Sequence, residues 1–436
     1  MDIPNAIIFI GALIFFAHLF NIIFTKTKIP VVLVLLLTGL AAGPIAGWIK
    51  PEDFGGLGYI FASATLVVIL FESGTNLKFS ELKKSIGNAS LITLINFSLT
   101  VLISFILISI FTKLNNLSAL FAGTIIGGTS SAIIIPLVKQ LRMNKNSSGV
   151  VIMEAALSDV LCLIAGVSIL TGMERGAQTV SDVFNIMWKS VLIAIVAGVV
   201  GGFAWSGLIL IFRGLKKSMF TSLAAVLVIY GLVESFDYNG GIAALAFGIM
   251  LANSSKLNDK KAYKKVFAFN ASEINPAEKD FFAEITFILQ TFFFVYVGIS
   301  LRFDNFWLVI LGLIIVAAII LSRPLSISIL SKKKFTSKDI AIMSILSPKG
   351  LIPAVFASLP LQLGLPYGQE IQDITFSVVL FSIVISSILV LFVSKDPLFM
   401  KKLFNKNTEG ALPDEVAIDS QTTGQATPPA IPPQLP

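Results

Sequence analysis

Thirteen apolar stretches, most about as long as a bilayer is thick, follow one another along this chain and leave few folds open to it. A hydrocarbon core of about 30 Å takes roughly 20 apolar residues per helix. The stretches lie near 5–24, 30–49, 57–73, 89–111, 116–138, 149–171, 185–212, 219–235, 240–253, 281–300, 305–330, 338–360 and 373–394. Of the 436 residues 55% are hydrophobic and 13% charged. A water-soluble core cannot hide that much apolar surface behind so few charges. The expectation is an all-α polytopic membrane protein with about 13 transmembrane helices. The opening "MDIPNAIIFIGALIFFAHLF" has no basic n-region and no small-residue cleavage site, so it reads as the first span rather than a removable signal. Cys162 is the sole cysteine and excludes a disulfide framework within the chain. Residues 404–436, rich in Pro, Thr and Gln, read as a disordered cytoplasmic tail behind a membrane domain at 1–403.

The basic residues orient the bundle. A net charge of +7 would suggest nucleic acid in a soluble protein, but here position matters more, and no nucleic-acid partner is expected. With the N-terminus outside, 25 Lys and Arg fall in inner segments. Only Lys50, Lys113, Arg175, Lys189 and Arg302 fall outside. That alternation predicts an outer N-terminus and a cytoplasmic C-terminus in a cell (inner) membrane.

Two of the stretches are interrupted. The fifth carries Gly127-Gly128-Thr129-Ser130-Ser131 and Pro136, and the twelfth carries Ser347-Pro348-Lys349-Gly350. Gly and Pro weaken the helical ladder, and broken backbone survives in lipid only where protein buries it or where it lines a cavity. Six spans precede the seventh, at 185–212, and six follow it. Each half, about 1–172 and 219–394, has its break in its fifth span. An odd linker span inverts the second half, which gives the inverted six-helix repeats of many secondary transporters. Ionisable groups also lie within spans: Glu72, Glu154, Asp159, Glu284, Arg323 and Lys349. Each costs at least a few kcal/mol there, so such groups line a pathway or pair with one another. Lys349, inside the second break, is placed to balance the carbonyl ends of half-helices.

"GGTSSAIIIPLVKQL" and "VIMEAALSDVLCLIAG", followed by "FFFVYVGISL", "LSRPL" and "LSPKGL", resemble the monovalent cation/proton antiporter superfamily over nearly all of residues 1–400. The resemblance implies a 13-helix fold, usually a homodimer, with a dimerisation domain and a mobile core domain whose broken helices cross at mid-membrane. It implies elevator-type movement of the core. The family's essential aspartate falls on Asp159 and the acid a turn earlier on Glu154. Its basic partner in the eleventh span falls on Arg323, and the basic residue of the second break on Lys349. The acid within "LFESG" falls on Glu72, and the first break on Thr129, with Ser130 beside it. Two positions depart from the family. Ser158 stands where Asn is common in electroneutral members and Asp in electrogenic ones. Thr129-Ser130-Ser131 stands where sodium/proton exchangers commonly read Thr-Asp-Pro, a wording nearer the potassium-efflux branch.

A hard monovalent cation takes several oxygen ligands. Asp159, Ser158, Thr129, Ser130 and Glu72 offer carboxylate, hydroxyl and carbonyl oxygens, with Asp159, Thr129 and Glu72 the expected metal ligands. A bare buried carboxylate is costly, so a proton and a cation compete for Asp159. One free carboxylate gives one-for-one, electroneutral exchange of Na+ or K+ for H+, with no cofactor. Glu154 and Arg323 are expected to form a fixed structural pair. Glu154 and Asp159 are five residues apart, about 140° round a helix, so they need not face one cavity. His18 is expected to be a packing residue, Cys162 a small buried hydrophobe, and Phe292-Phe293-Phe294 lipid- or core-facing bulk. The rival readings are a cation channel, a potassium-efflux-type system and a sodium-coupled symporter of an organic solute. An enzyme is not expected, since neither H-E-x-x-H nor G-x-S-x-G occurs and His18 is the only histidine.

Overall fold

The computed structural model describes residues 8, 11–20, 22, 30–54, 57–77, 79–141, 143–213, 219–254, 274–331, 335 and 337–395. The expected tail at 404–436, the ends of the first span and much of the basic inner loops lie outside the described residues. Within them the chain is helical and has no strand. The helices are α1 (Gly11–Phe20), α2 (Val31–Leu40, continued by a π-turn Ala41–Ile45), α3 (Leu57–Asn76), α4 (Phe79–Phe111) and α5 (Asn116–Gly127). Then come α6 (Ser131–Gln140), α7 (Lys145–Glu174), α8 (Val180–Arg213), α9 (Met219–Ser235) and α10 (Gly240–Ala252). The last five are α11 (Pro276–Ile299), α12 (Phe306–Ser331), α13 (Ser337–Ile345), α14 (Leu351–Gln362) and α15 (Gly368–Lys395). Among the described residues seven helical segments are long and apolar enough to cross a membrane, and five shorter apolar helices accompany them.

Several helices begin where a side chain takes the orphan N–H groups of the first turn. Asn115 accepts from Ser118 N–H at 2.7 Å, and Asn239 accepts from Ile242 N–H at 2.8 Å. At α11, Asn275 and Glu278 cap each other's backbone in a reciprocal box, with Pro276 in the first turn. Some helices outrun the apolar stretches that announce them. α4 starts at Phe79, ten residues before the expected 89, and α15 starts at Gly368 rather than 373. Hydropathy reads the hydrocarbon-embedded part, whereas a helix carries on through charged ends such as Glu81, Lys83 and Lys84.

Several crossings among the described residues are backbone on backbone, and two of them set glycine against glycine. A Cβ on Gly39 of α2 would lie 2.1 Å from the Val295 carbonyl oxygen of α11, and one on Gly298 would lie 2.2 Å from that of Leu36. Gly74 of α3 and Gly248 of α10 meet in the same way, with hypothetical Cβ atoms 2.4 and 2.3 Å from the carbonyl oxygens of Leu245 and Phe71. In lipid, where apolar helices gain little from leaving solvent, such close approach is what helix packing rests on. On the other side of the bundle α4 packs against α5, α7 and α12, and α15 packs against α12 and α14. This second group holds both interruptions.

Candidate cation site at the crossing of two broken helices

α5 ends at Gly127 and α6 begins at Ser131, with Gly128 and Ser130 in extended conformations between them. α13 ends at Ile345 and α14 begins at Leu351. The two breaks touch. The backbone N–H of Ser130 donates to the Pro348 carbonyl at 2.9 Å. Gly350 sits so close to Ser130 that a Cβ there would fall 2.2 Å from its Oγ and 2.4 Å from its Cβ. All five residues of the second break, and Gly128, Thr129 and Ser130 of the first, are buried.

α7 runs past the first break and supplies its polar partners. The Ser158 hydroxyl accepts from Thr129 N–H at 3.0 Å and donates to the Ala155 carbonyl at 2.9 Å. Asp159, 6% exposed, takes two hydrogen bonds on Oδ2: one from the Ser131 hydroxyl at 2.8 Å, one from the Ser131 N–H at 3.4 Å. The carboxylate therefore caps the N-terminus of half-helix α6, where the helix dipole favours negative charge. Cys162, one turn on, is buried and donates to the Ile125 carbonyl in the last turn of α5 at 3.3 Å.

Glu154, on the same helix, serves other neighbours. Its two oxygens meet the Arg323 guanidinium of α12 at 3.0 and 3.1 Å, with both side chains at most 4% exposed. Arg323 also donates from Nε and Nη2 to the Met343 carbonyl, at 3.3 and 3.1 Å. One guanidinium thus pairs with an acid of α7 and covers a free carbonyl in the last turn of half-helix α13. Asn96 of α4 donates to Glu154 at 2.8 Å and accepts from the Ser326 hydroxyl.

Lys349 lies in the second break, 1% exposed. Its backbone N–H donates to Ser382 Oγ at 2.9 Å, while its ammonium has no hydrogen-bond partner among the described residues. Glu72 is half-buried on α3 beside Thr286 of α11, and is not among the groups bonded to Asp159. The structure therefore brings Asp159, Ser158, Thr129 and Ser130 together, sets Lys349 in the adjoining break, and holds Glu154 and Arg323 as a separate pair. From sequence Ser131 is only a member of the first break, and Asn96, Ser326 and Ser382 carry no signal; all four are uncharged, and each has a partner on another segment of the chain. A cavity of about 170 Å³ opens between α2, α6 and α11, lined among others by Val31, Leu35, Ala132, Pro136, Gln290 and Thr291. Ala132 follows Ser131 directly. His18 packs on Phe287 with ring centres 5.0 Å apart, its Nε2 3.5 Å from Glu284 on a half-exposed surface.

Residues 11–395 match the family model described as sodium/hydrogen exchanger, transmembrane. The K(+)/H(+) antiporter NhaP2 of Shewanella sp. (strain ANA-3) is 23% identical over 395 residues, covering 88% of this chain and 66% of that protein. The chain thus spans slightly less than two thirds of that relative's length. The Na(+)/H(+) antiporter 1 of Methanocaldococcus jannaschii is 23% identical over 373 residues, covering 82% of this chain and 83% of that one. Among solved structures, the sodium proton antiporter MjNhaP1 from Methanocaldococcus jannaschii at pH 8 superposes with a TM-score of 0.69 at 21% identity, covering 92% and 98% of the two chains.

Proposed function

The chain belongs to the sodium/hydrogen exchanger family, and from that premise we propose that it is a secondary antiporter, exchanging a monovalent alkali cation, sodium or potassium, for H+ across the membrane. The observation that carries this reading is Asp159, buried where the two broken helices cross and capped by the N-terminus of a half-helix. A negative charge so removed from water is tolerable only when shared with a counter-ion or neutralised by a proton. Proton and cation therefore occupy it in turn.

Ser158 Oγ, the Thr129 carbonyl, the Ser130 hydroxyl and Glu72 are the oxygens offered to the cation beside Asp159. Thr129, Ser130 and Ser158 belong to one rigid crossing. Glu72 stands across on α3 and joins only if the groups carrying α3 and α7 approach each other. One exchangeable carboxylate makes the cycle one-for-one and electroneutral. The Glu154–Arg323 pair is fixed architecture, and Lys349 offsets charge at the second break. In this reading the group containing α4–α7 and α12–α15 moves as an elevator core against a dimerising scaffold, in a homodimer. The amino terminus is outside and the carboxyl terminus cytoplasmic, in a cell membrane, with no cofactor involved. The cavity beside α6 provides the approach to the site from one side. The carrier reading is favoured over a channel because the two breaks are tied directly to each other, Ser130 N–H to the Pro348 carbonyl, and one carboxylate serves both ions.

Purified Asp159→Asn protein in proteoliposomes with a trapped pH dye tests the proposal. The expected result is no proton movement on addition of sodium, potassium or lithium, with an unchanged size-exclusion profile. Exchange retained in that variant overturns the reading. The wild type, run across the three cations with and without a clamped potential, identifies the ion and the stoichiometry.

A further inference from the structure

Asp159 presents two unequal oxygens. Oδ2 takes both hydrogen bonds from Ser131, while Oδ1 accepts none among the described residues. Oδ1 faces Gly128, where a Cβ would lie 3.6 Å away. Resting on the role of Asp159 given above, we propose that Ser131 is a positioning residue for exchange. It holds Oδ2 as a hydrogen-bond acceptor and leaves Oδ1 as the oxygen that proton and cation take in turn.

The chemistry follows from what each donor can do. A backbone N–H donates and never accepts, so an oxygen it addresses is a poor place for a proton. Hydrogen bonds donated to a carboxylate favour its charged form, and Ser131 adds a hydroxyl to the N–H on the same atom. The first-turn position places the helix dipole behind both. A proton arriving from water forms its bond at Oδ1 and returns to water from there when a cation replaces it. The two adjacent serines divide the work. Ser130 ties one break to the other through Pro348 and the close approach of Gly350. Ser131 turns the opposite way and holds the acid.

Three substitutions at one position test this. Ser131→Ala removes the hydroxyl and leaves the N–H. The proton then competes better, and the pH–activity profile moves to the alkaline side by about one pH unit, the size of one hydrogen bond to a charged group. At neutral pH the KM for the cation rises about tenfold, while the maximal rate at alkaline pH stays near wild type. Ser131→Thr restores the hydroxyl and both parameters. Ser131→Pro removes N–H and hydroxyl together. Proline fits the first residue of a helix, and Ser130 before it is already extended at φ −65°, ψ 109°. The shift with proline exceeds that with alanine. Wild-type profiles in the Ala and Thr variants overturn the inference, as does a rise in KM without movement of the pH profile. Neither result touches the role of Asp159, which stands or falls on Asp159→Asn. Should the proline variant not fold, the Ala and Thr pair decides alone.

Discussion

At the first break the polar groups are answered by a neighbouring helix: Thr129 N–H by Ser158, Asp159 by Ser131, the thiol of Cys162 by the Ile125 carbonyl. At the second break, the Ser347 hydroxyl and the Lys349 ammonium have no hydrogen-bond partner among the described residues, although both side chains are buried. The two interruptions share a depth and a contact and still differ in this. Buried polar groups are normally paired, and an unpaired one costs stability. The first break is therefore a formed seat with its geometry fixed in advance. The second carries a charge held in place by packing rather than by partners. In the proposed reading, binding geometry resides in the one and electrostatic offset in the other.

The sharpest way to break that comparison is at the residue serving both sides. Arg323 pairs with Glu154 on the helix that braces the first break and covers the Met343 carbonyl just before the second. Arg323→Met strands a buried carboxylate and uncovers a half-helix terminus. Removing one partner of a buried pair costs roughly 3–5 kcal/mol, so a large fall in apparent melting temperature in detergent is expected, together with loss of a single size-exclusion peak. A variant that melts like wild type places the pair outside the architecture of either break. Next in size is Gly350→Ala. The added Cβ would fall 2.4 Å from the Ser130 Cβ, which cannot rotate away as its hydroxyl can. The breaks must part, at about 1–3 kcal/mol for overpacking, and exchange must slow with it. Gly128→Ala is the comparator, its new Cβ 3.1 Å from Cys162 at the nearest. A larger loss from Gly128 than from Gly350 would show that the crossing of the breaks is not the tightest point.

Much of this was legible without coordinates. Charge in an apolar stretch marks itself, so Glu154, Asp159, Arg323 and Lys349 stood out, and Gly and Pro runs marked both interruptions. The 140° between Glu154 and Asp159 is visible in their partners, α4 and α12 for one and α6 for the other. What sequence did not disclose is direction. Ser130 and Ser131 are the same residue type side by side, yet the backbone turn between them sends one to the second break and the other to Asp159. Asn96 carries no charge and does not stand out in its apolar stretch, although it bridges Glu154 and Ser326. From sequence Glu72 reads beside the other ligands, since residue type says nothing of which helices touch; in the structure it stands on α3 beside Thr286 of α11. Hydropathy likewise could not see helix ends running on past the hydrocarbon, as α4 does.

The smallest effect on stability is expected at Lys349, and it is the most telling. Methionine has nearly the same length and no charge, and it fills irregular space readily. Lys349→Met removes a buried ammonium that bonds to nothing among the described residues, so no hydrogen bond is lost and a desolvation cost disappears. The apparent melting temperature should hold or rise by a few degrees, of the order of 1 kcal/mol. Exchange should nevertheless fall at least tenfold, because the crossing loses the positive charge that offsets Asp159 and the half-helix carbonyls. Stability and transport then move in opposite directions, as they do where a site keeps a costly group for its function. Arg323→Met moves them together. A Lys349→Met protein that melts well below wild type would show the ammonium to be a structural partner, and the two breaks would then be alike after all.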